Sequence, residues 1–160
     1  MTTVTAQTDL VNAGRFSTAI QVRFNDTDAL GHVNNASYAE YAETARLSFF
    51  AQFGVPVSSI ILAHLAIEYR RQVVLSDTVA VLTRVVFLGN TSITLEQQVL
   101  ADGRIAAEIR SVVVFFDYTG AQTQEVPASV REQILASRYV QASSDSVDAV
   151  QRSGRGRESQ

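Results

Sequence analysis

Two carboxylates, a glycine and a histidine crowd one short run, Asp26, Asp28, Gly31 and His32, and Asn34 and Asn35 follow at once. A carboxylate can attack a polarised carbonyl as nucleophile, or act on a water as general base. Either role needs a group that stabilises the oxyanion, and unpaired backbone N–H groups at a helix start are suited to it. The residues that follow read as such a start. Asn34 or Asn35 offers a side-chain oxygen for the cap, and Tyr38, Tyr41, Ala45, Phe49 and Phe53 then recur every three or four positions. Asp28 thus falls just ahead of a helix N-terminus. The bland reading of the same acid is an Asx turn in a polar loop.

Other chemistries fit this chain less well. Asp26, Asp28 and Gly31 match the opening of an EF-hand loop, but Leu30 stands where an oxygen ligand belongs and Ser37 where the bidentate Glu belongs. His32 and His64 are the only histidines and there is no cysteine, so good zinc ligands are too few and no metal is expected. His64 reads as structural, on the polar side of a strand with Glu68 and Arg70. The absence of cysteine removes thiol nucleophiles, and the absence of lysine removes Schiff-base chemistry. No G-x-S-x-G supports a serine nucleophile.

The elements that must position Asp28 are a strand before it and a helix after it. Phe16, Ile20, Val22 and Phe24 alternate with polar residues, which predicts one strand across 16–24. The helix is expected to end near Gly54, with Pro56 preventing its continuation. Beyond Ser59 the period is two: Ile61, Ala63, Leu65, Ile67 and Tyr69 on one side, Leu62, His64, Ala66, Glu68 and Arg70 on the other. A turn at 75–77, a strand over 79–88 expected to be buried on both faces, a Gly89-Asn90 hairpin and a strand over 91–100 follow. Asp102-Gly103 is a hairpin turn that needs positive φ, the last strand runs over 104–116, and Pro127, Val130, Ile134 and Leu135 mark a short closing helix. One strand, one long helix and then an antiparallel run of strands is α+β, and a sheet can bury such a helix only by curling around it.

The run from Asp26 to Asn35, with Tyr38 and then Glu43-Thr44-Ala45-Arg46, resembles the signature of hotdog-fold acyl-CoA thioesterases of the 4-hydroxybenzoyl-CoA type. That resemblance implies a curved sheet around a central helix over roughly residues 16–120, and an acyl-CoA substrate with no cofactor. It maps the catalytic carboxylate to Asp28 and the carbonyl-polarising amide to Asn35, with Asp26 left to loop structure. Gly31, His32, Asn34 and Tyr38 then fall around the substrate, and Glu43 faces the acyl-binding region. Glu43 also lies three residues before Arg46, the spacing of a surface ion pair. Arg70 and Arg71 are candidates for the coenzyme A phosphates, or are solvated strand-end charges. Plant-type acyl-carrier-protein thioesterases resemble the same run, but Leu30 stands where they carry an active-site Asn. The family pairs sheets across a two-fold axis, so a homodimer or homotetramer is expected, with the substrate groove between subunits. A hotdog hydratase or dehydratase and a non-catalytic acyl-CoA-binding module are the alternative readings.

Composition is consistent with all of these. At 160 residues the chain has room for one domain, expected over 15–140, with a flexible lead-in at 1–14 and a disordered tail at 141–160. A net charge of −3 lacks the basic excess of a nucleic-acid binder. No apolar run reaches membrane-spanning length and the N-terminus lacks a secretory pattern, so a cytoplasmic protein is expected.

Overall fold

The computed structural model describes residues 14–141, so nearly all of the expected lead-in and tail lie outside the described residues. Strand β1 (Phe16–Ile20) leads through a loop into helix α1 (Asn35–Ala51), and strands β2 (Ile60–Tyr69), β3 (Val79–Leu88), β4 (Ser92–Ala101) and β5 (Arg104–Asp117) follow. A two-residue strand β6 (Gln122–Thr123) and helix α2 (Ala128–Ala136) close the fold. The sheet is antiparallel in the order β1-β3-β4-β5-β2, with β6 on β5. Helix α1 lies on its concave face over β1, β3 and β4. No helix of the described residues is long and apolar enough to cross a membrane.

Four local expectations need correction. Strand β1 stops at Ile20, leaving Val22 and Phe24 outside the sheet, because the Arg23 amide donates to the Asp26 carboxylate (2.8 Å) and bends the chain into a short 3-10 turn. Strand β2 does not neighbour β3 but crosses to the far edge and pairs with β5. A β-bulge between Leu62 and His64 breaks its expected alternation, so that Leu62 rather than Ala63 shares a face with Leu65. A second bulge between Val85 and Phe87 leaves Phe87 exposed instead of buried, and Leu135 is exposed on α2. The Asp102-Gly103 turn has the expected positive φ at both residues.

The core beneath α1 is divided. One apolar cluster gathers Val33, Tyr38, Tyr41, Val81 and Val99; the other gathers Phe49, Phe50, Leu95, Val113 and Phe115. Between them runs a belt of buried polar side chains on adjacent strands, Thr83, Gln97 and Ser111. The Gln97 amide donates to the Ala42 carbonyl (3.0 Å) and to Thr83 Oγ1 (3.4 Å), while its oxygen accepts from Ser111 Oγ (3.0 Å). Each group is satisfied, which is the condition for burying polarity without net loss. Gln97 therefore sets the height of α1 over the sheet by gripping a helical carbonyl. Gln97→Ala strands the Ser111 hydroxyl and opens a cavity; it is expected to destabilise the fold by about 2–4 kcal/mol in urea unfolding followed by circular dichroism.

Candidate active site

The segment between β1 and α1 is built around Asp26, whose side chain is 4% exposed. One carboxylate oxygen accepts the Arg23 amide and the Tyr41 hydroxyl, both at 2.8 Å, and the other lies 3.2 Å from the Arg23 guanidinium. Burial alone would raise the pKa of this acid, but the Arg23 amide, the Tyr41 hydroxyl and the Arg23 guanidinium outweigh it and hold the carboxyl below its ordinary value. Tyr41 is pushed the other way, by burial and by the carboxylate it serves. The Asp26 carbonyl also accepts, from the Asn34 amide (2.8 Å) and from Ser37 Oγ (3.1 Å). Loop and helix start are thereby tied to one residue.

Asp28 sits two residues on and is exposed. Its Oδ1 accepts the amides of Leu30 (2.8 Å) and His32 (3.2 Å), an Asx turn that takes none of the capacity of Oδ2. Its own backbone closes the same turn, donating to the His32 carbonyl (2.8 Å) and accepting from the Gly31 amide (3.0 Å). Gly31 has φ +79°, and a Cβ there would meet nothing within 4 Å, so the glycine serves the left-handed turn and not a close approach by the protein itself. The loop is closed at its base by a bridge from Thr27 to Val33 and held from outside by one from His32 to Val74.

Helix α1 begins with a cap that uses some of its free amides and leaves one. Asn34 is the N-cap: its Oδ1 accepts the Ala36 amide (2.9 Å) and its carbonyl accepts the Ser37 amide (2.9 Å). The Asn35 amide donates to no group among the described residues. The Asn35 carbonyl accepts the hydroxyl of Tyr69 (3.1 Å), whose ring meets Tyr38 edge-on with centroids 5.1 Å apart. Tyr38 is buried and its hydroxyl reaches the Arg71 carbonyl at 3.5 Å.

Asp28, Gly31, His32, Asn34 and Asn35 are thus gathered in one loop and cap, with Tyr38 behind them. Of the other named residues, Arg71 meets the group through its carbonyl at Tyr38, and Glu43 lies farther off. Glu43 is exposed, about 12 Å along the helix axis from Asn35 at 1.5 Å per residue. The Glu43–Arg46 pair that their spacing offers is not formed; Arg46 turns inward to Ser111 instead. Arg70 is bound to Glu68 and, at 2.8 Å, to Glu108. Arg71 is exposed. Tyr69 and Tyr41 are partners of the site that residue patterns alone did not single out. Tyr41 carried a usable signal, since a tyrosine on the buried stripe of a helix needs an acceptor and the preceding loop offers two acids, Asp26 and Asp28. Among the described residues no three His, Cys, Asp or Glu side chains are grouped as a metal site requires.

A family model described as the thioesterase-like superfamily matches residues 22–134, a span that takes in the loop, α1 and every strand but β1. The chain belongs to this superfamily. Among curated proteins, it is similar to the long-chain acyl-CoA thioesterase FadM of Escherichia coli, 27% identical over 125 residues that cover 73% of this chain and 95% of FadM. The uncharacterized protein YsmA of Bacillus subtilis is 29% identical over 84 residues, which cover 50% of this chain and 57% of YsmA. Among solved structures, a thioesterase from Thermus thermophilus, complexed with coenzyme A and Zn, is 35% identical with a TM-score of 0.70, over 75% of this chain and 97% of that one. The curled antiparallel sheet around α1 is the hotdog fold of these thioesterases.

The Asp26 geometry generates a pH test. Its folded-state pKa lies below the unfolded value near 3.9, so its contribution is complete above that value and is lost as pH falls through the folded pKa. Asp26→Ala strands the Tyr41 hydroxyl and the Arg23 amide and is expected to lower stability at pH 7 by about 2–4 kcal/mol. The deficit relative to the unsubstituted chain should narrow below pH 4 in acid-titrated thermal melts.

Proposed function

We propose that this superfamily member hydrolyses acyl-CoA thioesters to a free acid and coenzyme A, with Asp28 as nucleophile or general base and the Asn35 amide polarising the thioester carbonyl. The observation that carries this reading is the pairing of an exposed carboxylate with an unbonded helix-start amide in one rigid loop. The Asx turn fixes Asp28 through Oδ1 and leaves Oδ2 for a water or a carbonyl carbon. As base, Asp28 takes a proton from water as the hydroxyl adds to the carbonyl; the C–S bond then breaks and the thiolate leaves, accepting that proton. As nucleophile, it adds to the carbonyl carbon and the C–S bond breaks, expelling the thiolate and leaving an anhydride; water opens the anhydride to the free acid and the Asp28 carboxylate, and the proton released goes to the thiolate. In both routes negative charge gathers on the carbonyl oxygen, where a donor aligned with the helix dipole is strongest.

The substrate class rests on the thioesterase relatives, FadM among them, and on the coenzyme A in the Thermus structure. Within this chain, Gly31, His32 and Asn34 would border the thioester, Tyr38 and Tyr69 would back it, and Arg71 would meet the coenzyme A phosphates. Arg70 is the weaker phosphate ligand because Glu68 and Glu108 already offset its charge. A second subunit would complete the groove: β2 is an unpaired edge with Ile61, Leu62 and Tyr69 exposed.

Two substitutions test the chemistry separately from folding. Asp28→Asn is expected to lower kcat for release of free thiol across a panel of acyl-CoAs by about 10²-fold or more; unchanged thiol release would overturn the assignment, and hydration of an enoyl-CoA would favour the hydratase reading. Asn35→Pro removes the amide hydrogen. Proline suits the first helical position, and Asn34 already has the extended φ −62°, ψ 144° that a residue before proline adopts. The helix is therefore expected to persist by circular dichroism while kcat falls about 10²–10³-fold.

A further inference from the structure

Tyr69 ends β2 and donates its hydroxyl to the Asn35 carbonyl (3.1 Å), in the first turn of α1. That bond runs against what a helix start needs. The unpaired groups there are amide donors, which call for acceptors, and the Asn34 side chain already meets one of them. A hydroxyl donor brought to a first-turn carbonyl caps nothing, and the helix dipole disfavours another positive partial charge at that end. Burial does not demand the bond either, because Tyr69 is 45% exposed and water could serve the same hydroxyl. What the bond does fix is residue 35.

The direction of the Asn35 amide depends on the two peptide planes that meet at its Cα. The plane before it joins that N–H to the Asn34 carbonyl, which accepts the Ser37 amide (2.9 Å). A carbonyl engaged in this way makes the N–H of the same peptide a better donor. The plane after it is gripped at both ends, its N–H by Asn34 Oδ1 (2.9 Å) and its carbonyl by Tyr69 (3.1 Å). Among the described residues Tyr69 is the one side chain from outside the loop and the helix that bonds to either plane. Tyr69 is itself fixed, by pairing with Ala107 of β5 and by the Tyr38 ring, which it meets at 90° with centroids 5.1 Å apart. The residues after it run beside the loop that carries Asp28: the Val73 carbonyl accepts the Val33 amide (2.8 Å), and Val74 bridges to His32, whose own amide holds Asp28 Oδ1 (3.2 Å). One stretch, residues 69–74, thus bears on both the acid and the amide, on the acid through the backbone and on the amide through a single hydroxyl.

We infer that Tyr69 is a positioning residue of this site: acting through the Asn35 carbonyl, its hydroxyl sets the direction of the Asn35 amide and so the strength of the donor that a developing oxyanion meets. The inference rests on the thioesterase reading proposed above and adds a residue to it. Charge on the thioester oxygen grows only as the attacking group adds, so a misdirected donor costs more in the transition state than in the bound substrate. Loss of the Tyr69 hydroxyl therefore lowers kcat and leaves KM nearly unchanged.

Tyr69→Phe in the full-length chain keeps the ring against Tyr38 and removes only the hydroxyl. For thiol release across the acyl-CoA panel, kcat is expected to fall about tenfold with KM within about twofold of wild type. Tyr118→Phe is the control, because the Tyr118 hydroxyl makes the same kind of bond, at 3.1 Å to the Ile60 carbonyl, from an exposed position at the opposite end of β2. Its loss should leave kcat within about twofold. A double substitution separates positioning from a general loosening of the strand: added to Asn35→Pro, Tyr69→Phe should lower kcat by less than about a further twofold, since the donor it aims is already gone. If Asn35→Pro does not fold, the contrast between Tyr69→Phe and Tyr118→Phe decides. An equal fall in kcat in both backgrounds, no fall in either, or a rise in KM at unchanged kcat overturns the inference and leaves the thioesterase reading standing. A wild-type chain that releases no thiol from any acyl-CoA of the panel overturns both.

Discussion

A carboxylate removed from water is tolerable only when its oxygens are met, and the site of this protein depends on one that is. Asp26 draws in the Arg23 amide, the Tyr41 hydroxyl and the Arg23 guanidinium, and its carbonyl takes Asn34 and Ser37. The contacts reach both sides of the loop, so residues 27–33 can be displayed outward without losing their frame. This explains why β1 ends early. The Arg23 amide that would have continued the sheet ladder is taken by the acid, and Phe24 is left 78% exposed.

The same logic of met polar groups operates beneath the helix. A sheet curled around one helix presents a continuous apolar surface on which the helix could slide or rotate at little cost, because packing of aliphatic side chains is tolerant of small shifts. The Gln97 belt removes that freedom by bonding a single carbonyl, that of Ala42. Because Tyr41 stands next to Ala42, the constraint passes directly to Asp26 and the cap. Core and site are thus joined through two consecutive residues of α1.

Much of this arrangement was legible in the residues themselves. Period-two alternation marked the strands, Asn34 and the tyrosine stripe marked the helix, and Asp102-Gly103 marked its turn. Strand order was not legible: the 70–78 segment reads as a turn, whereas it carries the chain from β2 at one edge of the sheet across to β3, tied down by the Val33 amide on the Val73 carbonyl. No local pattern encodes such a crossover. The bulges were invisible for a related reason, since an extra residue in one strand is defined by its partner. At the site, spacing put Asp28 ahead of a helix, but which amides the cap consumes depends on the rotamer of Asn34. That Arg46 points inward, where its spacing from Glu43 offered a surface pair, is likewise a matter of packing that a helical repeat does not disclose.

The Asx turn at Asp28 has a consequence for how such a protein can change. Every bond that orients this acid comes from residues 30–32 or from its own backbone, and none from the strands or from the second half of α1. Side chains along β2 and the far end of the helix can therefore be exchanged, enlarging or shortening whatever space they enclose, while the acid keeps its aim. Reactivity and selectivity are in this sense inherited separately, and lineages built on this loop are free to diversify the molecules they accept without rebuilding the step they perform.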